Sequence, residues 1–286
     1  MFRRTIYLIL SIALIGMEGM AQALEPRVAR ESEVYCSGLV TTQPPNSDTY
    51  VISGPESAVA IQFTQGDEVF INRGASQGVR VGDQFLVTRV ESEQIHSPWF
   101  TWQPSLMRAM GKYYADLGRI RVVSVQQNTS IAEVEFSCSP ILRGDIVQPF
   151  AERPAPAYKT DTKFDRLAPP SGKAKAMVVF SQGFGQVAGA GKIVYVNLGS
   201  AQGVRTGDFF RMFRYQDQRH ETVYKTAGTA YRIYGMGSTP RSYSYEELPR
   251  DVLGEGLVLR TGPNAATVLI TNSQQAIYVG DYVELE

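Results

Sequence analysis

The chain has 286 residues, 43% hydrophobic and 20% charged, with 28 Lys and Arg balancing 28 Asp and Glu and only two His and two Cys. That length fits two domains, and that composition fills real cores rather than staying disordered. Zero net charge argues against a basic nucleic-acid-binding surface, and so few His and Cys leave little with which to build a zinc or iron–sulfur centre.

Residues 1–23 read as a signal peptide. Arg3 and Arg4 precede an apolar run from Ile6 to Ile15, and Ala21-x-Ala23 supplies the small residues that signal peptidase needs. The run is short for a bilayer span, although a membrane anchor is the alternative reading. Without Arg3, Arg4 and Glu18 the remainder holds 26 basic against 27 acidic residues, so it stays nearly neutral. Residues 24–57 follow as a segment tied to the first folded unit through Cys36. In an exported chain the pair Cys36 and Cys138 favours a disulfide over a metal pair, with two free thiols as the alternative. Such a bridge closes a loop of roughly 100 residues and contributes about 4 kcal/mol by chain entropy.

An internal repeat organises the rest. Val69–Phe85 recurs as Val194–Phe210 at a constant offset of 125 without a gap. Identical in the two copies are Asn72 and Asn197, Gly74 and Gly199, and the Gln-Gly-Val-Arg run through Gly78 and Gly203. So are Gly82 and Gly207, each followed by an aspartate, Asp83 and Asp208. The ends of the units match more weakly, closing on Gly144-Asp145 and Gly280-Asp281. This is duplication of a whole unit. Val69/Ile71 and Val194/Val196 alternate as a half-buried strand does. The glycines at 74, 78, 199 and 203 suit positive φ where the chain leaves that strand, and Val79 and Val204 plug the loop. Gly82-Asp83 and Gly207 with Asp208 then turn the chain into the next strand, the carboxylates capping backbone N–H groups. Calcium ligation by these aspartates is disfavoured, because each stands without carboxylates at alternate positions.

Strands of five or six residues between turn signals predict an all-β protein of two tandem small β-barrels, SH3-like or similar, over 58–148 and 176–286. The Pro-rich stretch 149–175 reads as an extended linker that lets the barrels stand apart. Helix is confined to the inserts, best at Ser105–Tyr114 with Ser105 as N-cap.

The unit Val-x-Val-Asn-x-Gly-x-x-Gln-Gly-Val-x-x-Gly-Asp-x-Phe, then a variable insert, a Gly-led strand and a closing Gly-Asp-x-Val, resembles the C-terminal barrel domain of flagellar assembly protein T. Val194–Leu285 is the closer match and Val69–Val147 carries a different insert. The resemblance implies a small barrel and an outer-membrane-associated compartment. Two such units in one chain, without that family's preceding domains, depart from its layout.

Catalytic motifs do not assemble. Gly183-Phe184-Gly185-Gln186-Val187-Ala188 fits a dinucleotide pattern but runs into the β-branched Ile193–Val196 instead of a helix. His96 and His220 lie in polar inserts, and the adjacent Glu246 and Glu247 do not face one cleft as a glycosidase pair must. No cofactor and no metal is expected. The inserts are where recognition is expected, because loops on a rigid scaffold carry it. The first offers Trp99, Phe100 and Trp102, and the second Tyr231, Tyr234, Tyr243 and Tyr245, as a contact surface. The leading expectation is a non-enzymatic exported envelope scaffold or adaptor, periplasmic or extracellular, that binds partner proteins. A peptidoglycan- or polysaccharide-binding module and a secreted hydrolase are the alternatives.

Overall fold

The structure, a computed structural model, describes residues 27–55, 59–92, 98–160, 164–215 and 249–286. The signal-peptide segment, both histidines, Glu246–Glu247 and the four insert tyrosines lie outside the described residues. The protein is mostly β. Its first half holds α1 (Glu31–Tyr35), β1 (Leu39–Thr41), β2 (Val51–Ser53), β3 (Gln62–Phe63), β4 (Glu68–Ile71), β5 (Gln84–Glu91), α2 (Gln103–Met110), β6 (Lys112–Val125), β7 (Ser130–Ser137), β8 (Ile141–Leu142) and β9 (Ile146–Pro149). The second half holds β10 (Lys175–Ser181), β11 (Val187–Ala188), β12 (Ile193–Val196), β13 (Phe209–Arg214), β14 (Asp251–Thr261), β15 (Ala266–Ser273), β16 (Ile277–Tyr278) and β17 (Tyr282–Leu285).

The second half forms a closed barrel in the order β10-β12-β15-β14-β13-β17. The first half forms a seven-stranded sheet in the corresponding order β2-β4-β7-β6-β5-β9, with β1 added on β6. The minor pairs correspond as well, β3 with β8 and β11 with β16. All main pairings are antiparallel, as short connections permit. The end strands of the first sheet meet through the bridge Tyr50↔Ile146, with Val51 N–H on Asp145 O at 2.9 Å and Val147 N–H on Thr49 O at 2.8 Å.

The repeated turn residues hold matching geometry. Asn72 accepts from Tyr50 N–H at 2.7 Å, and Asn197 accepts from Met177 N–H at 2.7 Å. Asp83 and Asp208 cap their turns by accepting from Arg80 and Arg205 N–H at 2.9 and 2.8 Å. Val79 and Val204 are buried beneath them.

The division of labour among the turn glycines differs from the sequence expectation. Gly78 and Gly203 do adopt positive φ, +83° and +86°. Gly74 and Gly199 do not, since their φ values are −140° and −138°. Close approach is what demands glycine there. A Cβ would stand 2.4 Å from Gln126 O in one unit and 2.3 Å from Gly262 O in the other. Gly82 and Gly207, expected only to precede their aspartates in the turn, are the second left-handed pair, at +93° and +94°. The reason is a hydrogen bond back to the sheet: Gly82 N–H donates to Val122 O at 2.8 Å, and Gly207 N–H to Val258 O at 2.9 Å. Gly207 also has a neighbour outside its own unit, because a Cβ there would meet Pro156 Cβ at 3.9 Å. Gly144 and Gly280 close their units at positive φ as well, +85° and +104°.

Other expectations change too. The first strand of the first unit is β2, which precedes residue 58, so that unit reaches back into the segment 24–57. The helix is Gln103–Met110 with Trp102 at its N-cap; Pro104 is tolerated in the first turn, where no N–H partner is lost. It stops at Gly111, whose φ is +106° and whose Cβ would sit 2.2 Å from Thr41 O. Tyr113 and Tyr114 therefore belong to β6. Strands β6 and β14 run to 14 and 11 residues, bent by register shifts at Arg119/Ile120 and Val258/Arg260 among others.

The units also touch. Val194, Val196 and Val268 face into the closed barrel, whereas Phe180, Ile193, Tyr195 and Leu269 join the core of the first unit. The stretch 149–175 is no free spacer. Arg153 pairs with Asp116 at 2.9 Å, Ala157 bridges Val28, Tyr158 donates to Glu33, and Ser171 N–H meets the buried Glu284 carboxylate at 3.3 Å.

Cys36 and Cys138 are disulfide-bonded across a sequence separation of 102. Replacing both by Ser is expected to lower unfolding free energy by about 4–5 kcal/mol in urea titration. A loss below about 1 kcal/mol would contradict a constraining role for the bridge.

Candidate contact surface

The described part of the insert between β5 and β6, residues 98–111, is fixed to the second unit through two side chains, Gln103 and Asn264. Gln103 is 1% exposed. Its Nε2 donates to Val179 O on β10 at 2.8 Å, and its Oε1 accepts from Trp99 N–H at 2.8 Å. Farther along the helix, Asn264 Nδ2 donates to Ala109 O at 3.0 Å. The loop is therefore built on both units rather than hung from one. Buried polar groups without such partners would cost about 1–3 kcal/mol each, so this geometry is strongly specified.

On that base Trp99 is 41% and Trp102 66% exposed. Phe100 departs from expectation: at 6% exposure it is buried beneath the loop and presents no ring to a partner. Two indole faces thus stand on a short rigid support. At the other end of the helix Thr41, Thr42, Pro44, Arg108, Gly111, Lys112 and Tyr114 line an open cleft of about 490 Å³. Exposed indoles on a fixed loop are suited to stacking and packing.

The phenols beneath the insert are structural. Burial drives the Tyr195 hydroxyl well above its usual range. Burial likewise pushes Tyr113 up to about 12, although its hydrogen bond with Tyr195 pulls the other way. Both stay neutral, and their rings pack at a centroid distance of 4.9 Å with Phe180 and Phe184 alongside.

The sequence signalled Trp99 and Trp102 but missed the groups that hold the frame. Arg89 and Arg214 chelate the buried Asp145 and Asp281 through Nε and Nη2, and each donates a further bond to a neighbouring carbonyl, Pro140 O or Ala276 O. The 125-residue offset links these two arginines and was the available signal. Burial raises the Asp281 carboxyl, with Arg214 opposing it. The glycine-rich stretch forms a short turn with Gly183 at φ +73° and then enters β11, so no helix follows it. Among the described residues no three His, Cys, Asp or Glu converge to hold a metal, and no helix is long and apolar enough to cross a membrane.

No protein-family model matches the chain, and no curated protein matches it.

Gln103→Ala is expected to free the insert without unfolding the chain. Iodide quenching of the two tryptophans should rise and their fluorescence anisotropy should fall. Unchanged quenching would show that the loop is held by something other than Gln103.

Proposed function

We propose that the protein is a non-enzymatic, exported scaffold or adaptor of a cell envelope, built from two β-barrels of one kind and docking partner proteins through Trp99 and Trp102. The observation that carries this reading is the pair of exposed indoles on a loop anchored by Gln103 to the second unit. Contact energy concentrates in such rigid aromatic anchors, because little side-chain entropy is lost on docking. Closure of the first sheet through Tyr50 and Ile146, and its matching strand order, support reading it as a second barrel of the same kind.

Export is supported by the Arg-led apolar N-terminus with Ala21-x-Ala23 and is compatible with the Cys36–Cys138 disulfide. The turn motif's resemblance to the barrel domain of flagellar assembly protein T supports an envelope setting. Indole faces also stack on sugars, which keeps cell-wall glycan as a second reading.

Photo-cross-linking from position 102 in intact cells should recover a discrete protein adduct, and Trp99→Ala with Trp102→Ala should reduce partner recovery by at least tenfold. The double variant should unfold within about 0.5 kcal/mol of the wild type, since both side chains are exposed. Sedimentation with purified cell wall instead, lost in the same variant, would transfer the site to glycan. Neither adduct nor sedimentation would overturn the assignment of this surface.

A further inference from the structure

Asp116 sits where the two units meet, and its carboxylate is shared. Gly38 N–H donates to it at 2.8 Å, Arg153 through Nη1 and Nη2 at 2.9 and 3.0 Å, and Arg260 through Nη1 at 3.2 and 3.4 Å. Two guanidinium groups therefore face one carboxylate. The side chains are 3% (Asp116), 12% (Arg153) and 21% (Arg260) exposed, so one surplus positive charge is held largely away from water. Burial lowers the Arg260 pKa, and the Arg153 charge adds to that while Asp116 opposes it. Surplus charge in such a place calls for a counter-charge.

The surplus borders a recess. Thr88 lies directly across from Asp116 in the β5–β6 register, which puts both side chains on one face. They line a recess of about 90 Å³ together with Arg153, Arg260, Thr41 and Tyr114. Thr88 is 6% exposed, and its hydroxyl has no hydrogen-bond partner among the described residues. Arg260 engages Asp116 through Nη1 alone, which leaves Nε and Nη2 of its fork without a partner there. A spare hydroxyl and spare guanidinium donors around surplus positive charge are the recognition chemistry of an oxyanion.

We propose that this recess binds one small oxyanion, a phosphate or carboxylate group, held by Arg260 and Thr88 with the Arg153–Asp116 pair as a fixed wall. The recess shares Thr41 and Tyr114 with the 490 Å³ cleft that carries Arg108 and Lys112. Both are exposed, and among the described residues neither has a carboxylate within ion-pair distance. They attract an anion toward the recess, and the cleft accommodates whatever body carries it. The site is independent of Trp99 and Trp102 and stands or falls apart from the docking surface.

The full disulfide-bonded chain is titrated with sodium phosphate and separately with sodium acetate, at ionic strength held constant with sodium chloride. Isothermal titration calorimetry and thermal melting follow binding. A saturable response to either anion is expected; phosphate alone marks a phosphoryl ligand and acetate alone a carboxylate. Thr88→Val should weaken that response about tenfold or more while leaving the melting temperature in chloride unchanged or higher. Arg260→Gln should abolish it, and Thr88→Val decides the matter if Arg260→Gln fails to fold. Absence of saturable binding with both anions overturns the proposal. So does an equal response in wild type and variants, which is the general stabilising effect of phosphate on folded proteins.

Discussion

Three consecutive backbone carbonyls, those of Cys36, Ser37 and Gly38, run along the seam between the two units, the last two of them buried. The second unit supplies a side chain to each. Gln182 Nε2 donates to Cys36 O at 2.7 Å, Tyr195 Oη to Ser37 O at 2.8 Å, and Thr267 Oγ1 to Gly38 O at 3.2 Å. The opposite side of the segment belongs to the first unit. Cys36 is bonded to Cys138, Gly38 N–H donates to Asp116, and Leu39–Thr41 pairs with Tyr114–Lys112. The Ser37 and Gly38 carbonyls are buried and would be costly without partners, so these two bonds fix the seam, and through the seam the insert and the oxyanion recess.

The seam lies where the repeat breaks its own pattern. Barrel-forming positions keep their residue types at matching places. Gly118 and Gly254 are an example, since a Cβ on either would strike a strand carbonyl at 2.3 or 2.2 Å. Seam positions differ. Tyr195 stands where the first unit has Phe70, Arg260 where it has Ser124, and Thr267 where it has Ile131. The repeated positions build the frame, and the differing positions on the outer face of the closed barrel join the two units. The buried outer face of β12 records this: Ile193 and Tyr195 point away from their own barrel core and are nonetheless 5% and 0% exposed.

This division explains what could be read from sequence. Turn chemistry is local, so the Asn, Gly and Asp positions of both units and the duplication itself were legible in the chain. Which glycine serves which purpose was not, because Gly199 answers to a carbonyl 63 residues away while Gly207 answers to its own backbone angle. The disulfide was the favoured reading of two cysteines once export was expected, and the structure bears it out. The seam was not legible either, because it depends on contacts between residues more than a hundred positions apart, such as Tyr195 with Ser37 and Arg260 with Asp116. Proline content marked 149–175 as a spacer, although Arg153 within it carries a buried ion pair that composition does not reveal. At the surface, the indoles of Trp99 and Trp102 were visible as a pattern. The burial of Phe100 between them was not, since an aromatic cluster does not say which ring turns inward.

Held by the clasp, the two units form a single cooperative body. Urea unfolding followed by pulsed hydrogen exchange and mass spectrometry reports peptides from both units in one experiment. One shared midpoint is expected for β4–β7 and β12–β15 in the intact chain, and Tyr195→Phe with Thr267→Val, which remove two of the three clasp bonds, should lower that midpoint for both units together. Two well-separated midpoints in the unaltered protein would contradict a single cooperative body.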